Sequence, residues 1–181
     1  MTEPKADRPH VPDYGIPTSL DGLLPWSWAV ERLERAMTYA LATAAADGTP
    51  HLIPIWGAWV EGRWYVEGGP TRWQRNLREN PRLAIQVETG HEVVIVEGTA
   101  SELVAPESPL AASILAGYAK YKAAGLYEAS ADHWTHGGLW ELCPVKAFAW
   151  SVFPTDMTRF RFDGADHVPL GDRANPPVPS G

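Results

Sequence analysis

The sequence predicts a mainly β protein with helical insertions, of the α+β class. Segments of strand length follow one another and are separated by turn dipeptides, at residues 47–48, 61–62 and 89–90. Two other segments repeat apolar residues at helical spacing, at residues 26–37 and 110–121. Six or more short, mostly antiparallel strands with helices between them favour a small barrel. The same pattern also permits an α+β sandwich.

The elements follow in order from local signals. We expect a first helix at residues 25–37, a short helix from Thr71 to about residue 80, and a longer helix from Pro106 to Gly125. Thr71 is a plausible N-cap, and proline and glycine mark helix ends. Strands are expected at residues 39–45, 51–60, 63–67, 83–88, 92–104, 139–142, 146–153 and 158–162, the first three as a meander.

Composition and charge limit the classes of function. The 181 residues carry a formal net charge of −7, which disfavours a general nucleic-acid binder. Cys143 is the only cysteine, so an intrachain disulfide is excluded. No stretch approaches the ~20 apolar residues that a membrane-spanning helix needs, and we expect a cytoplasmic protein. Prolines crowd both ends, which predicts extended arms at residues 1–22 and 164–181 around one domain at 23–163.

The stretch with the clearest chemistry is EGGPTRWQRNLRENPR, residues 67–82. Its helix begins directly after Gly68 and Gly69, which let the backbone approach a ligand closely. Unpaired N–H groups at a helix N-terminus bind phosphate, and Arg72 and Arg75 add permanently charged donors. The alternative is a solvated helix whose arginines pair with nearby glutamates.

Several aromatic and histidine side chains have two interpretations each. Tyr118 and Tyr121 fit core packing first and a pocket wall second, and Trp56, Trp73 and Trp140 fit either core packing or stacking on a planar ligand. His51 begins a predicted strand, where it either approaches a ligand or makes a structural hydrogen bond. His133 and His136 form an HxxH in a predicted loop without a further clustered ligand, so we expect no metal site. A surface loop is the first interpretation of this segment, and a role in lining the substrate mouth is the second.

Two longer motifs carry a resemblance to a known family. The segments ATAAADGTPHLIPIW (residues 42–56) and TRWQRNLRENPR (residues 71–82) resemble actinobacterial flavin/deazaflavin-dependent oxidoreductases. These belong to the pyridoxamine 5′-phosphate oxidase-like superfamily, and the resemblance covers roughly residues 24–163. It implies an FMN-binding-like, antiparallel split β-barrel of six to eight strands, with helical insertions. It also implies a homodimer in which the partner subunit completes the cofactor pocket.

The resemblance also implies where a cofactor would lie. The phosphate would sit against Thr71, Arg72, Arg75 and Asn76. The expected ring and loop contacts are Pro54, Ile55, Trp56, Gly57, Gly68, Gly69 and Trp73. The substrate pocket would include His51, Tyr118, Tyr121 and Trp140, and no residue is assigned a catalytic role. Two positions depart from the family pattern: Glu67 stands where many relatives have serine or threonine, and Trp73 where many have lysine.

The function that the resemblance implies is hydride transfer between a flavin-type cofactor and a small conjugated organic substrate. Such cofactors supply the redox chemistry themselves, which agrees with the lack of a conspicuous catalytic dyad in the sequence. Coenzyme F-420, a deazaflavin, is the first expectation and FMN the second, while haem is not expected. The alternative is a non-catalytic protein of the same fold that carries a flavin or a haem.

Overall fold

A computed structural model describes residues 3–163, so the C-terminal arm expected at 164–181 lies outside the described residues. The three helices are α1 (Trp26–Arg35), α2 (Arg72–Glu79) and α3 (Ser108–Ala123), and a 3₁₀ helix spans Ala131–Trp134. The strands are β1 (Lys5–Asp7), β2 (Tyr39–Ala44), β3 (Pro50–Ile55), β4 (Ala58–Val60), β5 (Arg63–Glu67), β6 (Arg82–Glu88), β7 (Val93–Leu103), β8 (Leu139–Trp150) and β9 (Thr158–Arg161).

All nine strands of the described chain join one antiparallel sheet, in the order β1-β9-β8-β7-β6-β2-β3, with the β4–β5 hairpin attached to β8. Strand β7 pairs with β8 from end to end. The other edge of β8 is divided, because Leu139–Leu142 pair with β5 whereas Lys146–Ala149 pair with β9. This division agrees with a split barrel and confirms the predicted α+β class. The sheet has nine strands where six to eight were expected.

Three local predictions were wrong. The strand expected at residues 51–60 is divided into β3 and β4, and β4 pairs only with β5, so the first three strands form no meander. The strands expected at 139–142 and 146–153 are instead one long strand, β8. A register shift between Glu97 and Gly98 keeps β7 paired with β8 on both sides of Pro144. A side chain at position 98 would meet the Cys143 carbonyl oxygen at 2.2 Å, so the close approach of the two strands requires glycine.

Two apolar clusters form the core. They lie on opposite faces of β5, whose successive side chains point alternately into one cluster and the other. Trp64 and Val66 face the larger cluster inside the sheet, while Tyr65 faces the cluster beneath α3. The α3 cluster includes Ile114 and Trp134, which are fully buried. Helix α3 therefore covers one side of the β4–β5 hairpin, and the segment after it is anchored in the same cluster.

The N-terminal arm, expected at residues 1–22, packs on its own chain. Strand β1 pairs with β9, and Arg159 donates to Asp7 at 2.6 Å. The Arg8 guanidinium donates to the backbone oxygens of Ser19, Asp21 and Met157. This strand was not predicted from the sequence, because prolines flank the three residues that pair. None of the helices in residues 3–163 is long and apolar enough to span a membrane.

Candidate functional site

A cavity of about 830 Å³ opens where β3 and β5 end, next to the N-terminus of α2. Its walls are mainly aromatic and backbone groups, with one carboxylate and one imidazole. The lining residues are Thr38, Pro54, Ile55, Trp56, Glu67, Gly68, Gly69, Tyr118, Tyr127, His133, Trp134 and Gly138. A cavity of this size and composition is typical of a site for a small organic molecule or cofactor.

The end of β3 and Trp56 form the first wall of the cavity. This wall ends at Gly57, because a tyrosine of α3 makes hydrogen bonds to the backbone groups of that residue. The Tyr121 hydroxyl accepts from the Gly57 N–H at 3.0 Å and donates to the Gly57 carbonyl at 2.9 Å. A Cβ at position 57 would lie 2.4 Å from the indole nitrogen of Trp64, so only glycine fits. Trp56 stacks on the Tyr121 ring with centroids 5.3 Å apart and is 39% exposed. Pro54, Ile55 and Trp56 therefore face the cavity, while Gly57 is buried behind them.

The second wall is the segment after α3, which is fastened at several points. The 3₁₀ helix is capped by Ser130, whose hydroxyl accepts from the Asp132 N–H. Trp134 is fully buried, and its carbonyl accepts from Ala105 N–H at 2.9 Å. The Gly138 carbonyl accepts from Gly68 N–H at 3.1 Å. This last bond joins the segment to the end of β5, beside Glu67 and Gly68.

Glu67 lies at this junction with its side chain only 10% exposed. The indole N–H of Trp134 donates to its Oε2 at 2.5 Å, and His133 Nδ1 lies 3.6 Å from the same oxygen. Its Oε1 is buried and has no hydrogen-bond partner among the described residues. Glu67, where the sequence departs from the family pattern, thus has its carboxylate in the cavity wall and not beside an arginine.

Three aromatic and imidazole groups surround this carboxylate. The Tyr127 hydroxyl lies 3.0 Å from His133 Nδ1. Burial, followed by the neighbouring Glu67 carboxylate, raises the pKa of Tyr127 to about 12. Burial and the same carboxylate raise the pKa of Tyr118 well above its ordinary value. Both phenols therefore stay protonated at neutral pH and serve as hydrogen-bond donors.

Helix α2 presents an open, basic end beside Gly68 and Gly69. Thr71 occupies the N-cap position as predicted, but its side chain makes no capping bond, so the first N–H groups of the helix remain open. Arg72 and Arg75 are exposed and form no ion pair within residues 3–163. Nothing lies within 4 Å of a Cβ built on Gly69, and Gln74 donates to the Gly68 carbonyl at 2.7 Å. These groups suit an anion such as a phosphate.

The opposite face of α2 is buried in the core. The Asn76 amide donates to Thr43 Oγ1 at 3.0 Å, and Trp73 packs edge-on against Trp140 with centroids 6.2 Å apart. Arg78 pairs with Glu102 at 3.0 Å. Residues 73, 76 and 77 share a face at helical spacing, which explains their burial. The structure thus places Trp73 and Asn76 in packing contacts, away from the cavity lining.

The predicted site residues fall into groups according to where the structure places them relative to the cavity. Those that line the cavity are Pro54, Ile55, Trp56, Gly68, Gly69 and Tyr118. Thr71, Arg72 and Arg75 lie just beyond Gly69 at the start of α2, whereas Gly57, Tyr121 and Trp140 are buried behind the walls. His51 is half-buried on β3 opposite Thr43 and outside the lining. Their contacts with a ligand remain predictions.

Sequence reasoning did not assign Glu67, Tyr127, His133 or Trp134 to the cavity wall. The last three belong to a segment without regular periodicity, so no face could be assigned to them. The one available signal was the unusual carboxylate at position 67. No group of three or more residues able to hold a metal ion occurs in the part of the chain that the structure describes.

The architecture is that of a split β-barrel protein, with a cavity at the ends of β3 and β5 as its candidate ligand site. The chain belongs to the pyridoxamine 5′-phosphate oxidase family, whose model matches residues 29–135. No curated protein matches the chain in sequence.

Solved structures share the fold. One is a conserved hypothetical protein from Mycobacterium tuberculosis, with a TM-score of 0.59, 22% identity and coverage of 74% of this chain and 88% of that one. A FAD-binding protein from Mesorhizobium loti has a TM-score of 0.54, 20% identity and coverage of 77% and 96%. An F-420 reductase has a TM-score of 0.50, 26% identity and coverage of 65% and 93%.

Proposed function

We propose that this protein is a homodimeric oxidoreductase that transfers a hydride between a bound flavin-type cofactor and a small conjugated organic molecule. The observation that carries the proposal is the cavity itself, whose aromatic walls lead to Gly68 and Gly69, the residues just before the open N-terminus of α2. A planar apolar ring and a phosphate need these two environments next to each other. The family and the neighbouring F-420 reductase support the same class of cofactor.

The residues present fit such a cofactor. Trp56, Pro54 and Ile55 offer a flat apolar wall for a ring, and the first N–H groups of α2 with Arg72 and Arg75 offer donors for a phosphate. Gly69 leaves open space where any larger side chain would stand. When bound, the cofactor supplies the hydride chemistry. The chain's own part is to hold the phosphate, orient the ring against Trp56, and exclude water with the segment after α3.

Coenzyme F-420 is our first choice and FMN our second. F-420 continues beyond its phosphate into a tail of glutamates, which benefits from further positive charge. Arg82 is exposed and forms no ion pair within residues 3–163. Other basic side chains are engaged: Arg78 pairs with Glu102, and Lys122 with Glu128. Lys120 donates to the backbone oxygens of Glu34 and Ala36, and burial lowers its pKa to about 8. Arg82 thus remains for an anionic tail, beyond Arg72 and Arg75 at the phosphate.

A homodimer is part of the proposal. Strand β3 is the last strand of its sheet, and its exposed face carries Leu52, which is 68% exposed, in line with Pro54 and Trp56. An apolar edge strand beside the cavity favours coverage by a second copy. Sedimentation velocity at micromolar concentration tests this part directly, and a monomer there would contradict it.

Titration of the purified protein with F-420, FMN and haem, followed by absorbance and fluorescence, tests the cofactor. We expect saturable binding of F-420, weaker binding of FMN and none of haem. Absence of binding by both flavin-type cofactors would overturn the proposal.

A carrier without catalytic activity is the second candidate, and the Glu67 carboxylate in the cavity wall favours it, because negative charge opposes an electron-rich reduced cofactor. The discriminating measurement is oxidation of the reduced cofactor in the presence of a panel of unsaturated organic acceptors. Stoichiometric binding with no acceptor-dependent oxidation would select the carrier.

A further inference from the structure

The Glu67 carboxylate is the feature of the cavity that a flavin-type cofactor leaves unexplained. Its side chain is nine-tenths buried, Oε2 accepts one hydrogen bond from Trp134, and Oε1 has no partner within residues 3–163. Burying a carboxylate oxygen without a donor is unfavourable, and native proteins keep such groups rarely and at functional positions. A ligand that brings a donor or a positive charge to this carboxylate would relieve that cost.

The charges around Glu67 leave it without a fixed counter-ion. Within residues 3–163 no lysine or arginine lines the cavity, and His133 is the only lining side chain that can take a positive charge. The His133 ring lies 3.6 Å from Glu67 Oε2 and 3.0 Å from the Tyr127 hydroxyl, with its side chain 48% exposed. An exposed imidazole at this distance neutralises the carboxylate only when it is protonated. This end of the cavity is therefore negative, whereas the exposed Arg72 and Arg75 lie beyond Gly69, past its opposite end.

The aromatic rings at this end also suit a cation. Tyr127 lines the cavity beside Glu67, and the partly exposed Trp56 ring lies next to it, with centroids 6.1 Å apart, while the buried Tyr118 and Trp134 back this wall. Aromatic faces attract organic cations, and the combination of several rings with a carboxylate is a recurrent solution for binding an alkylammonium group. A neutral or anionic molecule would gain only the apolar part of this environment.

We infer that the Glu67 end of the cavity is the substrate subsite and selects a molecule with a flat apolar body and a cationic nitrogen. The inference deepens the proposed function, because it names the substrate class for the cavity that also takes the cofactor. The nitrogen lies against Glu67 and the body against the aromatic walls. Oε1 is buried, but a cation that contacts the exposed part of the side chain meets the charge that both oxygens share.

Calorimetric titration with two matched probes tests the subsite. The probes are 2-naphthylmethylammonium and the neutral alcohol 2-naphthylmethanol, which differ in charge and share a two-ring body. We expect the ammonium to bind the wild-type protein at least about tenfold more tightly than the alcohol, equivalent to about 1.4 kcal/mol. The Glu67→Gln variant should lose this preference and keep its affinity for the alcohol, because the glutamine oxygen still accepts from Trp134.

The control is Glu97→Gln, which removes the same charge from an exposed pair with Lys146 outside the cavity. It should retain the full preference for the ammonium. Equal affinities for the two probes in the wild type, no binding of either, or a preference that survives in Glu67→Gln would each overturn the inference.

Cofactor titration of the same three proteins separates the two proposals. If F-420 and FMN both fail to bind while the ammonium preference depends on Glu67, the cation subsite stands and the proposed cofactor falls. If a cofactor binds but the probes show no preference, the proposed function stands and the subsite falls.

Discussion

The two ends of the cavity differ in the kind of group that they present and in how deeply those groups are buried. At the α2 end the proposed binding groups are backbone N–H donors and the exposed side chains of Arg72 and Arg75, held by a helix that is packed through its other face. At the Glu67 end, Glu67 and Trp134 are buried and hydrogen-bonded to each other, and the one basic group nearby is the half-exposed His133. The α2 end can lose a side chain without unfolding, whereas the Glu67 end is part of the core. Binding and stability should therefore respond differently to mutations at the two ends.

The largest effect is expected at the Glu67 end. Trp134 is fully buried, so Trp134→Ala should lower the free energy of unfolding by about 3–5 kcal/mol, the usual cost of truncating a buried aromatic residue. Trp56→Ala is the matched control, because Trp56 lines the same cavity but is 39% exposed. It should cost far less. Chemical denaturation of both variants measures the two free energies of unfolding. Equal decreases would show that the two walls do not differ in their contribution to stability.

At the α2 end the expected effect is on binding. Removing a charge-assisted hydrogen bond costs about 1.5–3 kcal/mol, so Arg75→Ala should weaken cofactor binding roughly ten- to a hundredfold. Its stability should stay within about 0.5 kcal/mol of wild type, since exposed residues contribute little. Arg82→Ala, which removes an exposed arginine from the start of β6, should weaken FMN binding less than threefold. Unchanged affinity in Arg75→Ala would place the anion site elsewhere.

Asn76 tests whether the buried face of α2 serves structure. Its amide is bonded to Thr43 Oγ1, so Asn76→Ala should lower the free energy of unfolding by about 1–3 kcal/mol. Thr43→Val removes the other partner, and the double variant should cost less than the sum of the two single changes. If Asn76→Ala leaves stability unchanged but abolishes cofactor binding, the amide acts on the phosphate as the family resemblance implies.

Regular periodicity explains what could be predicted from the sequence. The α2 helix, its Gly-Gly entry and its basic residues were predicted from spacing and turn chemistry, and the strands with clear alternation were located within a few residues. The split of β3 from β4 was missed, because it depends on Tyr121 of α3 bonding to Gly57, 64 residues away. Glu67 was recognised as unusual, but its partner Trp134 is 67 residues distant in an irregular segment. Contacts of this kind leave no local pattern.

The smallest expected effect concerns salt and separates F-420 from FMN. The tail of F-420 would meet exposed arginines at the α2 end, and interactions between exposed charges are screened beyond ~8–10 Å at physiological ionic strength. Each exposed pair contributes about 0.2–1 kcal/mol. Since Arg78, Lys120 and Lys122 are already engaged, few such pairs are available.

We therefore expect the ratio of F-420 to FMN affinity to fall only about two- to fivefold between low and high salt. Measuring the ratio cancels the phosphate contacts that both cofactors share and leaves the tail. Arg82→Ala should flatten the dependence, because Arg82 is the remaining free cation beyond Arg75 within residues 3–163. A ratio that does not change with salt would mean that the tail makes no ionic contact. Tight FMN retention with no F-420 binding at low salt would reverse the choice of cofactor.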